Sequence, residues 1–127
     1  MSALNKILYV EDEIDIQSIA KIALESVGGF SLKVCSSGKE ALESISSFAP
    51  DMVLLDVMMP EMDGPATLEA IRKLPEYTSI PIIFMTAKVQ PSEVEELKSL
   101  GAMDVISKPF DPMTLSEQIK QIWEKHS

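Results

Sequence analysis

Five times along this chain a short apolar run is followed by a segment with helical apolar spacing. No other feature limits the possible fold as much. The runs cover residues 7–10, 32–35, 52–55, 82–85 and 103–106, each bounded by turn or polar residues. Near-continuous apolar content over so short a length suits parallel strands covered on both faces. Between them, Ile16, Ile19, Ala20, Ala23 and Val27 follow a helical stripe, as do Ala41, Leu42 and Ile45. Leu68, Ile71 and Leu74 mark a third helix, and Leu115, Ile119, Ile122 and Trp123 the last. The fourth, from Pro91 to about Leu100, is weaker, with Val94 and Leu97 set against a charged run. Ser37 followed by Glu40 forms a capping-box pattern, and Asp111-Pro112 reads as N-cap and first helical position.

Five βα units in alternation imply an α/β layered sandwich around a parallel sheet with right-handed crossovers. The pattern alone leaves the strand order open. At this size the usual solution is doubly wound, order 2-1-3-4-5, with five helices on both faces, a flavodoxin-like fold. The length of 127 residues predicts a single domain over 1–127 with no output domain after the fifth helix. A lone cysteine, Cys35, reads as a buried structural thiol at a strand end. No apolar run approaches the roughly 18–20 residues needed to cross a bilayer, and the N-terminal run is too short for a signal peptide. The expected setting is cytoplasmic, away from membranes. A formal net charge of −9 argues against direct nucleic-acid binding, which needs clustered Lys and Arg.

In such sheets a site lies beyond the C-terminal strand ends. There the first strand meets Glu11-Asp12, the third Asp56, the fourth Thr86 and the fifth Lys108-Pro109. Singly, each has an ordinary explanation: a solvated acid, a cap, a surface charge. Jointly they place three carboxylates, a hydroxyl and an ammonium on one edge. Gathered carboxylates repel one another, and a hard divalent cation removes that conflict. Oxygen ligands without Cys or His select Mg²⁺ over Zn²⁺. A metal, Lys108 and Thr86 together would stabilise charge on a phosphoryl group, and a carboxylate there can act as nucleophile.

These motifs resemble the receiver domain of two-component response regulators, the family that includes the bacterial chemotaxis regulator. The resemblance rests on residues 7–13, on 56–64 (Asp-Val-Met-Met-Pro-Glu-Met-Asp-Gly), on Met85-Thr86-Ala87 and on Lys108-Pro109-Phe110. It covers the chain from about Lys6 to about Lys125. It implies that Asp56 accepts a phosphoryl group from a phosphohistidine on a sensor histidine kinase or from a phosphotransfer protein. By the same resemblance Asp12 binds Mg²⁺ directly and Glu11 largely through water, with the Met58 backbone carbonyl completing the set. Lys108 pairs with the phosphoryl group, its bond to Pro109 is cis, and Thr86 swings toward the modified Asp56. The result is a phosphoacceptor switch, not an enzyme, acting on a downstream protein target that the sequence does not name, with a phosphorylation-dependent dimer as one outcome.

One position departs from the family pattern. An aromatic switch residue usually stands three places before the lysine, and here that place holds Val105. Met58 and Lys88 occupy positions that tune phosphate lifetime in the family. His126 reads as solvent-exposed, Trp123 as core or half-buried, and Met52, Met85 and Met103 as strand core. Two rivals stand beside the phosphoswitch. A receiver fold used only for protein binding would lack one of the site residues, and all are present. A haloacid-dehalogenase-type phosphatase would carry Asp-x-Asp after its first strand, whereas Asp56 follows the third and Met58 stands two places on.

Overall fold

The computed structural model describes residues 3–126. Its strands are β1 (Lys6–Val10), β2 (Ser31–Cys35), β3 (Met52–Asp56), β4 (Ile82–Thr86) and β5 (Asp104–Ser107). They form one parallel sheet in the order β2-β1-β3-β4-β5. The helices are α1 (Ile14–Lys21), α2 (Gly38–Phe48), α3 (Gly64–Arg72), α4 (Pro91–Ser99) and α5 (Leu115–Lys125). The predicted doubly wound, flavodoxin-like fold is the one observed.

Side chains alternate across the sheet, so each strand feeds two apolar layers. Ile7, Tyr9, Met52, Leu54, Ile83, Met85 and Ile106 pack with residues of α1 and α5. Leu8, Val10, Val53, Leu55, Ile82 and Phe84 pack with residues of α2 and α3 and with Leu97 of α4. Every residue of β3 and β4 is buried, which explains their unbroken apolar runs. Among the described residues no helix is long and apolar enough to cross a membrane.

Several expectations shift in detail. Beyond Lys21 the first helix continues as a π-helical segment, Ile22–Val27. This looser winding turns the stripe after Lys21, so Leu24 is buried while Val27 stays 44% exposed; Ile19, in the regular α-helix before it, is 45% exposed. Ser116 of α5 donates to the Ala23 carbonyl at 2.6 Å, tying the segment to its neighbour. Asp111 does not cap α5 directly. Its carboxylate accepts from the Met113 N–H and its carbonyl from the N–H groups of Thr114 and Leu115, so a turn precedes the helix. Leu74 falls outside α3, α4 stops at Ser99 rather than Leu100, and Met103 lies just before β5. Ser37 caps α2 as expected, accepting from the Glu40 N–H, although the Glu40 carboxylate reaches Ser36 rather than Ser37. Cys35 is buried, Trp123 half-buried and His126 exposed.

Two backbone positions fix the geometry near the helix ends. Ala49 closes α2 at φ 52, in the left-handed region that glycine prefers. Gly64 opens α3 so close to the end of β3 that an added Cβ would lie 2.5 Å from the Asp56 carbonyl and 2.8 Å from Val57 Cα. In urea denaturation, Ala49→Gly is expected to stabilise the protein by about 0.5–1 kcal/mol, the left-handed strain less glycine's entropy. Gly64→Ala is expected to destabilise it by about 1–3 kcal/mol through overpacking. Equal effects of the two substitutions would contradict this reading.

Candidate functional site

The C-terminal edge of the sheet is extended beyond the strands by backbone hydrogen bonds that hold the site residues in register. The Glu11 N–H donates to the Cys35 carbonyl, Val57 to Met85 and Lys108 to Thr86, at 2.9, 3.2 and 2.9 Å. Asp56 is the last residue of the central strand β3, between β1 and β4. Glu11 and Asp12 follow β1, and Lys108, with a cis bond to Pro109, follows β5. Asp63 caps α3 through the Ala66 N–H at 2.9 Å, and the Gly64 N–H returns to the Val57 carbonyl at 2.8 Å, which closes the loop after Asp56.

Carboxylate oxygens of Glu11, Asp12 and Asp56 lie within 4.8 Å of one another. Glu11 is 0% and Asp56 4% exposed, so water screens neither well. The Lys108 ammonium bridges them, 2.9 Å from Glu11 Oε1 and 3.1 Å from Asp56 Oδ1. Burial, then the charge of Glu11, raise the Asp56 pKa to about 6, with Lys108 pulling the other way. Burial pushes Lys108 downward, but its hydrogen bond to Glu11 and the charge of Asp56 outweigh that, and the net shift is upward. One ammonium thus pairs with two of three clustered carboxylates, and the set stays short of positive charge. An all-oxygen donor group of this kind, with Glu11 and Asp56 buried and Asp12 half-buried, fits a hard divalent cation.

Sequence reasoning placed Glu11, Asp12, Asp56 and Lys108 together, and the structure brings them together. Thr86 is buried at the end of the adjacent strand, where its hydroxyl accepts from the Lys88 N–H at 3.1 Å. A cleft of about 190 Å³ lies beside it, lined by Val57, Lys88 and Leu97 among others. Met58 stands in the loop after β3 with its side chain 66% exposed. Val105 is half-buried and packs against the layer under α2 and α3.

Three participants were missed. The Tyr9 hydroxyl lies 3.4 Å from Glu11 Oε1, and the Glu13 N–H donates to Glu11 Oε2 at 3.2 Å. Burial, followed by the charges of Glu11 and Asp56, pushes the Tyr9 pKa far up, so the hydroxyl keeps its proton. Gln17 reaches back from α1, its side-chain amide donating to the Glu11 carbonyl and to Ser36 Oγ. Tyr9 could have been found from the two-residue strand period it shares with Glu11. Gln17 carries no such signal.

A raised Asp56 pKa means the folded state holds that proton more tightly than the unfolded chain. Its contribution is therefore fully present below about pH 4 and is lost as pH rises through about 6. In the presence of a chelator, Asp56→Asn is expected to be more stable than the parent at pH 7, by about 1–3 kcal/mol. That difference should shrink toward pH 4. A gap that is constant with pH in denaturation curves would rule out a strained carboxylate.

The description "response regulator receiver domain" fits residues 7–120 as a family match. The chain is 37% identical over 111 residues to the regulatory protein AtoC of Escherichia coli, covering 87% of this chain and 23% of that one. It is 34% identical over 117 residues to the Bacillus subtilis alkaline phosphatase synthesis transcriptional regulatory protein PhoP, covering 92% and 48%. The chain thus spans about a quarter to a half of the length of these curated relatives. Among solved structures, chemotaxis protein CheY4 of Vibrio cholerae superposes with a TM-score of 0.86 at 31% identity, covering 94% of this chain and 99% of that one. The N-terminal domain of a response regulator receiver protein from Methanoculleus marisnigri gives 0.75 at 39% identity, covering 94% and 96%.

Proposed function

We propose that this chain, which belongs to the response regulator receiver domain family, takes up a phosphoryl group on Asp56 in a Mg²⁺-dependent reaction and thereby switches a protein-binding surface. The single observation that carries this reading is the Lys108 ammonium held between Glu11 and Asp56, with Asp12 beside them. A buried acid cluster so arranged gains little as a structural feature, because its members repel. It suits a divalent cation and an incoming phosphoryl group. Mg²⁺, when bound by Asp12, Asp56 and the Met58 carbonyl with Glu11 behind water, would neutralise charge on the phosphoryl oxygens.

The rest follows from the chain's own groups. An Asp56 oxygen attacks phosphorus, the P–N bond to the donor's phosphohistidine breaks, and the freed imidazole nitrogen takes a proton. The product is an acyl phosphate on Asp56. Lys108 exchanges its carboxylate partner for a phosphoryl oxygen. Thr86 releases the Lys88 N–H and turns its hydroxyl to another phosphoryl oxygen. That draws the loop after β4 inward, beside the cleft next to Leu97. Helix α4 has no fully buried residue and packs on the core chiefly through the half-buried Leu97, so little packing opposes a shift. With Val105 in place of an aromatic ring, the signal passes through Thr86 and α4 to the α4, β5 and α5 face.

The expected donor is a sensor histidine kinase or a phosphotransfer protein. The expected reader is a protein target or a second copy, in a cytoplasmic setting. Incubation with acetyl phosphate and Mg²⁺ should add one phosphoryl group by intact mass, labile to hydroxylamine. Asp56→Asn and omission of Mg²⁺ should each abolish it. Equal labelling of Asp56→Asn would overturn the assignment, and steady turnover of a phosphomonoester would favour a phosphatase.

A further inference from the structure

Tyr9 lies in β1 two residues before Glu11, which follows the strand; its ring runs inside the layer under α1 and α5 and its hydroxyl ends 3.4 Å from Glu11 Oε1. Both residues are completely buried. Glu11 Oε1 is also the oxygen that Lys108 holds, and Glu11 Oε2 is tied to the Glu13 N–H. Phosphoryl transfer as proposed takes Lys108 away from the carboxylates. Glu11 Oε1 then loses its closest donor, and the Tyr9 hydroxyl remains. A glutamate carries one more methylene and one more rotatable bond than an aspartate, so its carboxylate needs more fixing to hold one orientation.

We propose that Tyr9 is a positioning residue whose hydroxyl holds the Glu11 carboxylate in the acid cluster, beside Lys108 in the resting protein and in its place once Lys108 turns to the phosphoryl group, so that the cation site keeps its shape in both states. Tyr9 touches neither the cation nor the reacting atoms and acts through Glu11, as outer partners of metal ligands do. The inference rests on the reading that Mg²⁺ binds at Asp12, Asp56 and the Met58 carbonyl, with Glu11 reaching it through water.

Tyr9→Phe keeps the ring and its packing and removes only the hydroxyl. Titration calorimetry on the unphosphorylated full chain should show Mg²⁺ affinity about tenfold weaker, at the low end for lost outer partners because 3.4 Å is a long bond. Uptake from acetyl phosphate at saturating Mg²⁺ should stay within about twofold of the parent, since the reacting atoms are untouched. In a Glu11→Asp background, whose shorter side chain cannot meet the hydroxyl, Tyr9→Phe should bring no further loss. Unchanged affinity in Tyr9→Phe overturns the assignment. An equal loss in both backgrounds overturns it too, because it marks general packing, and so does a slower reaction at saturating Mg²⁺. A parent protein that binds no Mg²⁺ overturns the metal site itself, and this inference with it.

Discussion

The ammonium of Lys108, shared between Glu11 and Asp56, is the interaction on which the rest of the site depends. Two buried carboxylates with a third close by would not tolerate proximity without it, and burial together with the charge of Glu11 still holds the Asp56 pKa up despite Lys108. The site is therefore held in tension by the fold. Removing Lys108 would leave buried charge unpaired, a larger penalty than the pair's own net contribution. The same tension leaves Asp56 short of positive partners, which is the condition under which a cation and a phosphoryl group bind well.

What imposes the tension is the parallel sheet. Its order sets β3 between β1 and β4, with β5 beyond, so the ends of three strands and the turn after a fourth converge on one edge. Backbone hydrogen bonds continue past the strands at Glu11, Val57 and Lys108, and side chains have little freedom to drift apart. Gly64 lets α3 start against the Asp56 carbonyl, where any larger residue would push the loop outward. By contrast α4 is held loosely, with Val94 and Leu97 only half-buried. Rigid support under the acids and a weakly anchored helix beside Thr86 are what a switch needs, because ligand energy can then move one element without disturbing the site.

Most of this was legible in the residues because alternation and strand-end chemistry are local signals. The runs at 52–55 and 82–85 suit fully covered parallel strands, which they are, and a parallel sheet sets Asp56, Thr86 and Lys108 on one edge. Local reading failed where a distant contact decides. The π-helical segment after Lys21 packs on α5, where Ser116 bonds the Ala23 carbonyl, and its winding buries Leu24 and leaves Val27 half outside, against a plain helical stripe. Asp111 has the chemistry of a cap, yet the turn over residues 112–114 moves the start of α5 to Leu115. Gln17 works through the Glu11 backbone carbonyl, and side-chain type does not announce such a partner.

The most direct measurement is a crystal structure of the protein grown with Mg²⁺ and beryllofluoride, a stable mimic of the phosphoryl group. The account predicts the mimic joined to Asp56, Mg²⁺ about 2.0–2.1 Å from oxygens of Asp12 and Asp56, and Lys108 turned onto a fluoride. Lys108 still bridging Glu11 and Asp56, with the mimic and cation bound elsewhere or not at all, would contradict it.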